Sequence, residues 1–272
     1  MVVTAVSVKL EGLHRVLAGT GGAVVAYSGG TDSTLVAAVA ARALGGRALA
    51  VTAVSPSLPP GGLEEARRVA SEIGVRHLTV RTHEVAREAY LANGIDRCYH
   101  CKSELYDVLA EVARQEGLPL VVSGANLDDL GDFRPGLRAA AQRAVRHPLV
   151  EAGMTKADVR EAARELGIST WDKPASACLS SRIRFGVRIT VEELTRVGRA
   201  ERLLKELGFG QCRVRVHEDL ARVEVEVADL PRLADPGVRD RVVAALKALG
   251  YRYVTLDLEG FRSGSMNPEG TP

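Results

Sequence analysis

The chain has 272 residues, and its 36 Lys and Arg against 34 Asp and Glu leave a formal net charge of +2. That length is enough for one large domain or two smaller ones, each with a buried core. The near balance of charge argues against a dedicated nucleic-acid binder, and no apolar run is long enough to span a bilayer. The first residues lack the basic start and long apolar core of a secretion signal, so the expected location is the cytoplasm. Four cysteines in that compartment are thiols or metal ligands rather than disulfides.

Residues 5–18 read as a short amphipathic helix. The apolar run Ala23-Val24-Val25-Ala26-Tyr27 reads as a buried parallel strand. Ser28-Gly29-Gly30-Thr31-Asp32-Ser33 follows it, and residues 34–40 read as a buried helix. A strand, a Gly-rich turn and a helix start form an anion site: N–H groups converge and the helix dipole adds positive charge. Glycine lets the backbone turn sharply and approach a phosphate. Ser33 can cap the helix or donate to an anion, and Asp32 can help hold Mg²⁺. No Gly-Lys-Ser/Thr follows, so this is not a Walker A loop.

Residues 47–54 read as strand two, 63–73 as a helix, 75–80 as strand three, 102–115 as a helix and 118–124 as strand four. The alternation predicts an α/β fold with a doubly wound parallel sheet. Its ligands lie beyond the carboxyl ends of the strands, which directs Ser28, Ser55 and Gly124 toward one crevice. Near residue 185 the character changes, giving expected domains of 1–185 and 186–272. Thr190 to Glu193 reads as a capping box opening a helix to about Leu207. Residues 211–217 and 221–227 read as an antiparallel pair, 238–249 as a helix and 251–258 as a last strand, a small α+β domain. The tail from Ser263 to Pro272 reads as partly disordered.

Cys98 and Cys101 form C-x-x-C, Cys178 lies near the domain boundary, and Cys212 lies in a strand. A lone C-x-x-C is equally a redox pair, a zinc half-site or an iron–sulfur half-site. Structural zinc asks for a fourth ligand, for which Cys212 is the candidate, with burial in the strand as the plainer reading. His100, between the paired cysteines, is badly placed to join both on one ion. Three cysteines also suit a [4Fe–4S] cluster with one open iron. Arg213 and Arg215 share one strand face.

The loop SGGxDS resembles the pyrophosphate loop of the ATP pyrophosphatases, which cut ATP between its α- and β-phosphates. Together with Arg97-Cys98-Tyr99-His100-Cys101-Lys102, residues 131–136 (GDFRPG), residues 177–183 (ACLSSRI) and residues 253–264 (YVTLDLEGFRSG), the chain resembles the LarE family nearly end to end. The resemblance implies an ATP-dependent sulfur transferase of nickel-pincer nucleotide synthesis. Its substrate is pyridinium-3,5-dicarboxylate mononucleotide; a ring carboxylate is adenylated and AMP is then replaced by sulfur. Family members with one cysteine at the position of Cys178 sacrifice its sulfur; those with two more, matching Cys98 and Cys101, resemble [4Fe–4S] enzymes.

The resemblance also implies a homo-hexamer and does not say what donates the sulfide. It places Lys102 near substrate phosphates, Asp129 and Asp132 at the ATP crevice, and Arg182 beside the sulfur-donor cysteine. Arg213, Arg215, Glu224 and Arg262 are implied as an anion and metal site, with a solvated strand face as the alternative. Trp171 is either a ring-stacking or a packing residue. Rival readings are a tRNA-thiolating enzyme, which asks for a broad basic surface, an amidating ligase, which needs no cysteines, and a non-catalytic nucleotide or cluster sensor.

Overall fold

The computed structural model describes residues 5–131, 134–174 and 176–262. Asp132 and the tail expected to be disordered lie outside them. The element order is α1 (Ala5–Ala18), β1 (Ala23–Ala26), α2 (Thr31–Leu44), β2 (Ala48–Val54), α3 (Gly62–Glu72), β3 (Arg76–Arg81), α4 (Glu88–Leu91) and α5 (Arg97–Gln115). There follow β4 (Val121–Val122), α6 (Pro135–Ala141), α7 (Pro148–Glu151), α8 (Lys156–Glu165) and α9 (Val191–Glu206). The chain continues through β5 (Cys212–His217), β6 (Leu220–Val225), α10 (Leu230–Ala234), α11 (Pro236–Ala248) and β7 (Tyr253–Leu256).

The first sheet has order β3-β2-β1-β4 and is parallel throughout, as the α/β alternation predicts. β1 and β4 are wholly apolar because helices cover both sides of the sheet, while the edge strand β3 exposes Arg76 and Arg81. Ala23 and Val25 of β1, with Ala48 and Ala50 of β2, pack into one core with α1, α2 and α8. Val24, Leu49 and Val51 point the other way, against Tyr106, Leu109 and Val112 of α5. The period of two along the strands thus divides the apolar residues between two layers. The second sheet, order β5-β6-β7, pairs β5 antiparallel with β6, and β6 parallel with β7. Its core takes in Tyr90, Leu179 and Ile183 from the earlier part of the chain. Among the described residues, no helix is long and apolar enough to cross a membrane.

Three sequence expectations shift. The helix expected over 102–115 begins at Arg97, so both C-x-x-C cysteines lie on its opening turns. The strand expected over 118–124 keeps only Val121 and Val122. Pro119 has no N–H for a ladder, and Arg146 takes the adjoining positions through its own backbone. At the start of α9, Thr190 accepts from the Glu193 N–H, while the Glu193 carboxylate goes to Arg196 instead of returning to the cap.

A buried ion pair ties the chain after Cys178 to the second sheet. Arg182 and Glu201 are 1% and 2% exposed and meet through two bonds, Nε to Oε1 at 2.8 Å and Nη2 to Oε2 at 3.0 Å. Glu201 also accepts the Val214 N–H of β5 at 3.1 Å. Removing one partner of such a pair strands the other charge in the interior, which costs about 3–5 kcal/mol. Glu201→Ala is therefore expected to lose about 3 kcal/mol or more in denaturant unfolding; a loss below about 1 kcal/mol would show the pair to be dispensable.

Candidate active site

The loop after β1 is shaped by contacts that only glycine satisfies. Gly29 has φ +71°, and a Cβ there would sit 3.0 Å from the Ala66 backbone. A Cβ on Gly124, beyond β4, would lie 2.7 Å from the Ser33 amide nitrogen. The end of β4 is thus pressed against the first turn of α2. Gly30, at φ −82°, caps α2 by backbone alone. The first N–H groups of α2 have no intrahelical acceptors. Ser33 Oγ donates to Gly30 O at 3.1 Å and accepts the Ser28 N–H at 3.3 Å, so it braces the loop from inside. The Thr31 hydroxyl turns away and donates to Thr170 O at 2.6 Å.

Asp32 stands at the loop with both oxygens engaged. Asn126 Nδ2 donates to Oδ1 at 3.0 Å, and the Lys156 ammonium pairs with Oδ2. Lys156 opens α8, whose capping box joins Thr155 and Asp158. A lysine on a first turn opposes the helix dipole, and Asp32 offsets that. Asp129 accepts the Asn126 N–H at 3.0 Å and pairs with Arg134 at 2.8 Å. Neither Lys156 nor Asn126 stands out by motif, although the T-x-x-D spacing at 155–158 marks the helix start.

From the end of β2 a polar chain leads to the cysteines. Ser55 Oγ and Ser57 Oγ lie 2.8 Å apart, and Ser57 donates to Glu84 Oε1 at 3.0 Å. Glu84 is 2% exposed, and its Oε2 has no hydrogen-bond partner among the described residues. Ser57 O accepts the Leu179 N–H at 2.8 Å, one residue beyond Cys178.

Cys98 is exposed, while Cys101 and Cys178 are half-buried. Burial, and then the neighbouring Cys178, push the Cys101 thiol up to about 12, so it is protonated at neutral pH. Lys102 is held above its ordinary value, first by Tyr106, whose ring centroid is 5.8 Å away, and further by the sulfurs of Cys101, Cys98 and Cys178. Cys212 lies apart in β5, fully buried against Glu201 O, and burial pushes it up to about 11. His100 turns to Asp96 at 3.1 Å. Among the described residues, no group of three or more His, Cys, Asp or Glu is arranged to hold a single metal ion.

Arg182 is committed to internal partners. Besides Glu201, it donates to Ala177 O and Cys178 O, each at 3.0 Å, and to Ser181 Oγ at 2.8 Å. It fixes the cysteine loop and presents no open guanidinium to a ligand. Arg213 and Arg215 do share a buried face of β5. Arg215 donates to Glu224 Oε2 at 3.0 Å and to Ser181 O at 2.9 Å. Arg213 lies 4.9 Å from the Phe261 ring centroid, and burial, then Arg182, lower its pKa. Glu224 sits between Arg215 and Arg222, a counter-ion by surroundings rather than an open metal ligand. Arg262 joins at the rim through Asp257 at 3.6 Å. Trp171 is 39% exposed, 6.0 Å from the Arg164 guanidinium, and is not drawn into this group.

A family model described as NAD synthase matches residues 10–98, which span the phosphate loop and the first three strands. An uncharacterized protein of Synechocystis is 48% identical over 259 residues, 95% of this chain and 97% of its own. A protein of Lactiplantibacillus plantarum named pyridinium-3,5-bisthiocarboxylic acid mononucleotide synthase is 40% identical over 245 residues, 89% of this chain and 88% of its own. An uncharacterized protein of Methanocaldococcus jannaschii is 28% identical over 240 residues. With likeness of that level running nearly the length of both chains, the chain belongs to the LarE family of pyridinium-3,5-bisthiocarboxylic acid mononucleotide synthases.

Proposed function

We propose that the chain adenylates a carboxylate of pyridinium-3,5-dicarboxylate mononucleotide with ATP and then exchanges AMP for sulfur, giving a thiocarboxylate. The observation that carries this is the Leu179 N–H to Ser57 O bond, which ties the Cys178 loop to the strand beside the phosphate loop. A nucleotide held at Ser28–Ser33 thus lies on the same crevice as the thiols, with Ser55 and Gly124 lining it. Four free cysteines fit a cytoplasmic setting.

In the first step a carboxylate oxygen attacks the α-phosphorus and the bond to the β-phosphate breaks. Charge develops on the departing pyrophosphate. The first-turn N–H groups of α2 and the Lys156 ammonium are the fixed positive dipoles and charge available to meet it. Asp32 would hold Mg²⁺ by exchanging its Lys156 and Asn126 contacts for the ion, which when bound neutralises further charge on the leaving group. Asp129, held by Asn126 and Arg134, supports that corner. Arg213 and Arg215, with Arg262 at the rim, are the cations for the acceptor's phosphate or second carboxylate; Lys102 is a further cation beside the thiols.

In the second step sulfur attacks the acyl carbon and AMP leaves. On this reading Cys98, Cys101 and Cys178 are ligands of one iron–sulfur cluster. Three cysteines can each ligate a separate iron of a cluster, leaving one iron open. A cluster held by Cys98, Cys101 and Cys178 would supply sulfide to the acyl adenylate. A metal bound there would take the proton from the Cys101 thiol that burial keeps neutral.

Asp32→Ala is expected to lower acceptor-dependent pyrophosphate release by about 10²-fold or more, and Lys156→Gln by about 10²-fold with a smaller effect on ATP affinity. Near-normal turnover in both would remove the phosphate-loop assignment. Arg213→Ala and Arg215→Ala should raise the acceptor's KM or lower kcat/KM while leaving ATP binding little changed; equal loss of ATP binding would place these arginines elsewhere. Anaerobically prepared protein should contain iron and keep Cys178 intact through several turnovers with added sulfide. Iron-free protein that turns over once and ends with dehydroalanine at position 178 would show the thiol itself to be sacrificed.

A further inference from the structure

One polar cluster outside the residues already assigned is shut away from water. Tyr90, Asn93 and Arg97 are 1%, 0% and 4% exposed. Arg97 is the first residue of α5 and immediately precedes Cys98. Its Nη1 donates to Asn93 Oδ1 at 2.6 Å and to Ser180 O at 3.0 Å, and its guanidinium lies 5.0 Å from the Phe185 ring centroid. Asn93, in the left-handed region at φ 53°, donates through Nδ2 to Arg184 O and Val187 O, each at 2.8 Å. The Asn93 carbonyl accepts the Gly186 N–H at 2.9 Å, and Leu91 O accepts the Ile189 N–H at 2.8 Å. The Tyr90 hydroxyl meets Ser180 Oγ.

Buried carbonyls need donors. The segment from Ser180 to Val187 takes them from residues 90–97, which lead directly into the cysteine helix. Arg182 supplies donors to Ala177 O and Cys178 O from the opposite side. The stretch from Ala177 to Ser180 is thus held by two guanidinium groups, Arg182, paired with Glu201 of α9, and Arg97, at the root of Cys98. Among the described residues, no carboxylate pairs with Arg97. Its hydrogen-bond partners are neutral oxygens, and a cation at a helix start works against the dipole. What it supplies is position.

The geometry points to Arg97 as a positioning residue that sets Cys178 relative to Cys98 and Cys101 through Asn93 and the Ser180 carbonyl. The inference rests on the proposed joint use of the three cysteines. Arg97 does not touch substrate; it acts by fixing where the Cys178 sulfur stands.

The test is bifunctional thiol cross-linking with dibromobimane on reduced, iron-free protein, read by mass spectrometry of peptides joining Cys178 to Cys98 or Cys101. Cys212 is buried and stays outside the reaction. Arg97→Met should cross-link about tenfold more slowly while still binding ATP, because small displacements of reacting atoms carry large rate effects. Arg97→Lys, which keeps one donor, should recover part of the rate. An Arg97→Met protein that binds ATP and cross-links at the wild-type rate overturns the inference. Should Arg97→Met fail to bind ATP, Tyr90→Phe decides: loss of one hydrogen bond to Ser180 should slow cross-linking about threefold, and a wild-type rate overturns the inference. Iron uptake on reconstitution separates this claim from the functional one. Wild-type protein that cross-links but takes up no iron contradicts the cluster and leaves the positioning role standing.

Discussion

A guanidinium and a carboxylate closed off from water hold this molecule's chemistry in place. Arg182 grips Glu201 with two hydrogen bonds, and its remaining donors hold the carbonyls of Ala177 and Cys178. Glu201 in turn receives an amide of β5. With the bonds from Arg215 to Ser181 O and from the Leu179 N–H to Ser57 O, that pair fixes the loop bearing Cys178 against the arginine face of β5 and the end of β2. Burial is what makes the pair structurally decisive: separated charges in such a place are far more costly than on a surface.

The same buried environment assigns different duties to similar residues. Arg182 is enclosed by Glu201 and the Ala177 and Cys178 carbonyls and Arg97 by Asn93 and the Ser180 carbonyl, whereas Arg213 and Arg215 lie side by side on one face of β5, Arg215 paired with Glu224. Among the cysteines, Cys212 is sealed in the second core, while burial and then the neighbouring Cys178 push the Cys101 thiol up. A buried thiol with a raised pKa is a poor nucleophile by itself.

Much of this was legible in the sequence because it rests on local rules. The apolar run at 23–27 and the Gly-rich turn after it specify a strand, a tight turn and a helix start. The period of two placed Arg213 and Arg215 on one face of β5. The rest depends on long-range pairing that no local pattern encodes. Arg182 read as a ligand-binding cation because its partner, Glu201, lies on α9, where it reads as an ordinary helix acid. Lys156 meets Asp32 across 124 positions of chain. Asn93 and Arg97 serve carbonyls some ninety residues away. The early start of α5 was obscured because Arg97 and the cysteines carry no strong helix signal, and tertiary contacts decide the boundary.

The account's central claim is that the acceptor's carboxylate oxygen attacks the α-phosphorus of ATP before sulfur arrives. Acceptor carrying heavy-oxygen-labelled carboxylates, turned over with ATP, tests this most directly through mass analysis of the AMP and pyrophosphate released. The account predicts one labelled oxygen in each AMP formed and none in pyrophosphate. Unlabelled AMP accompanying thiocarboxylate product would contradict it.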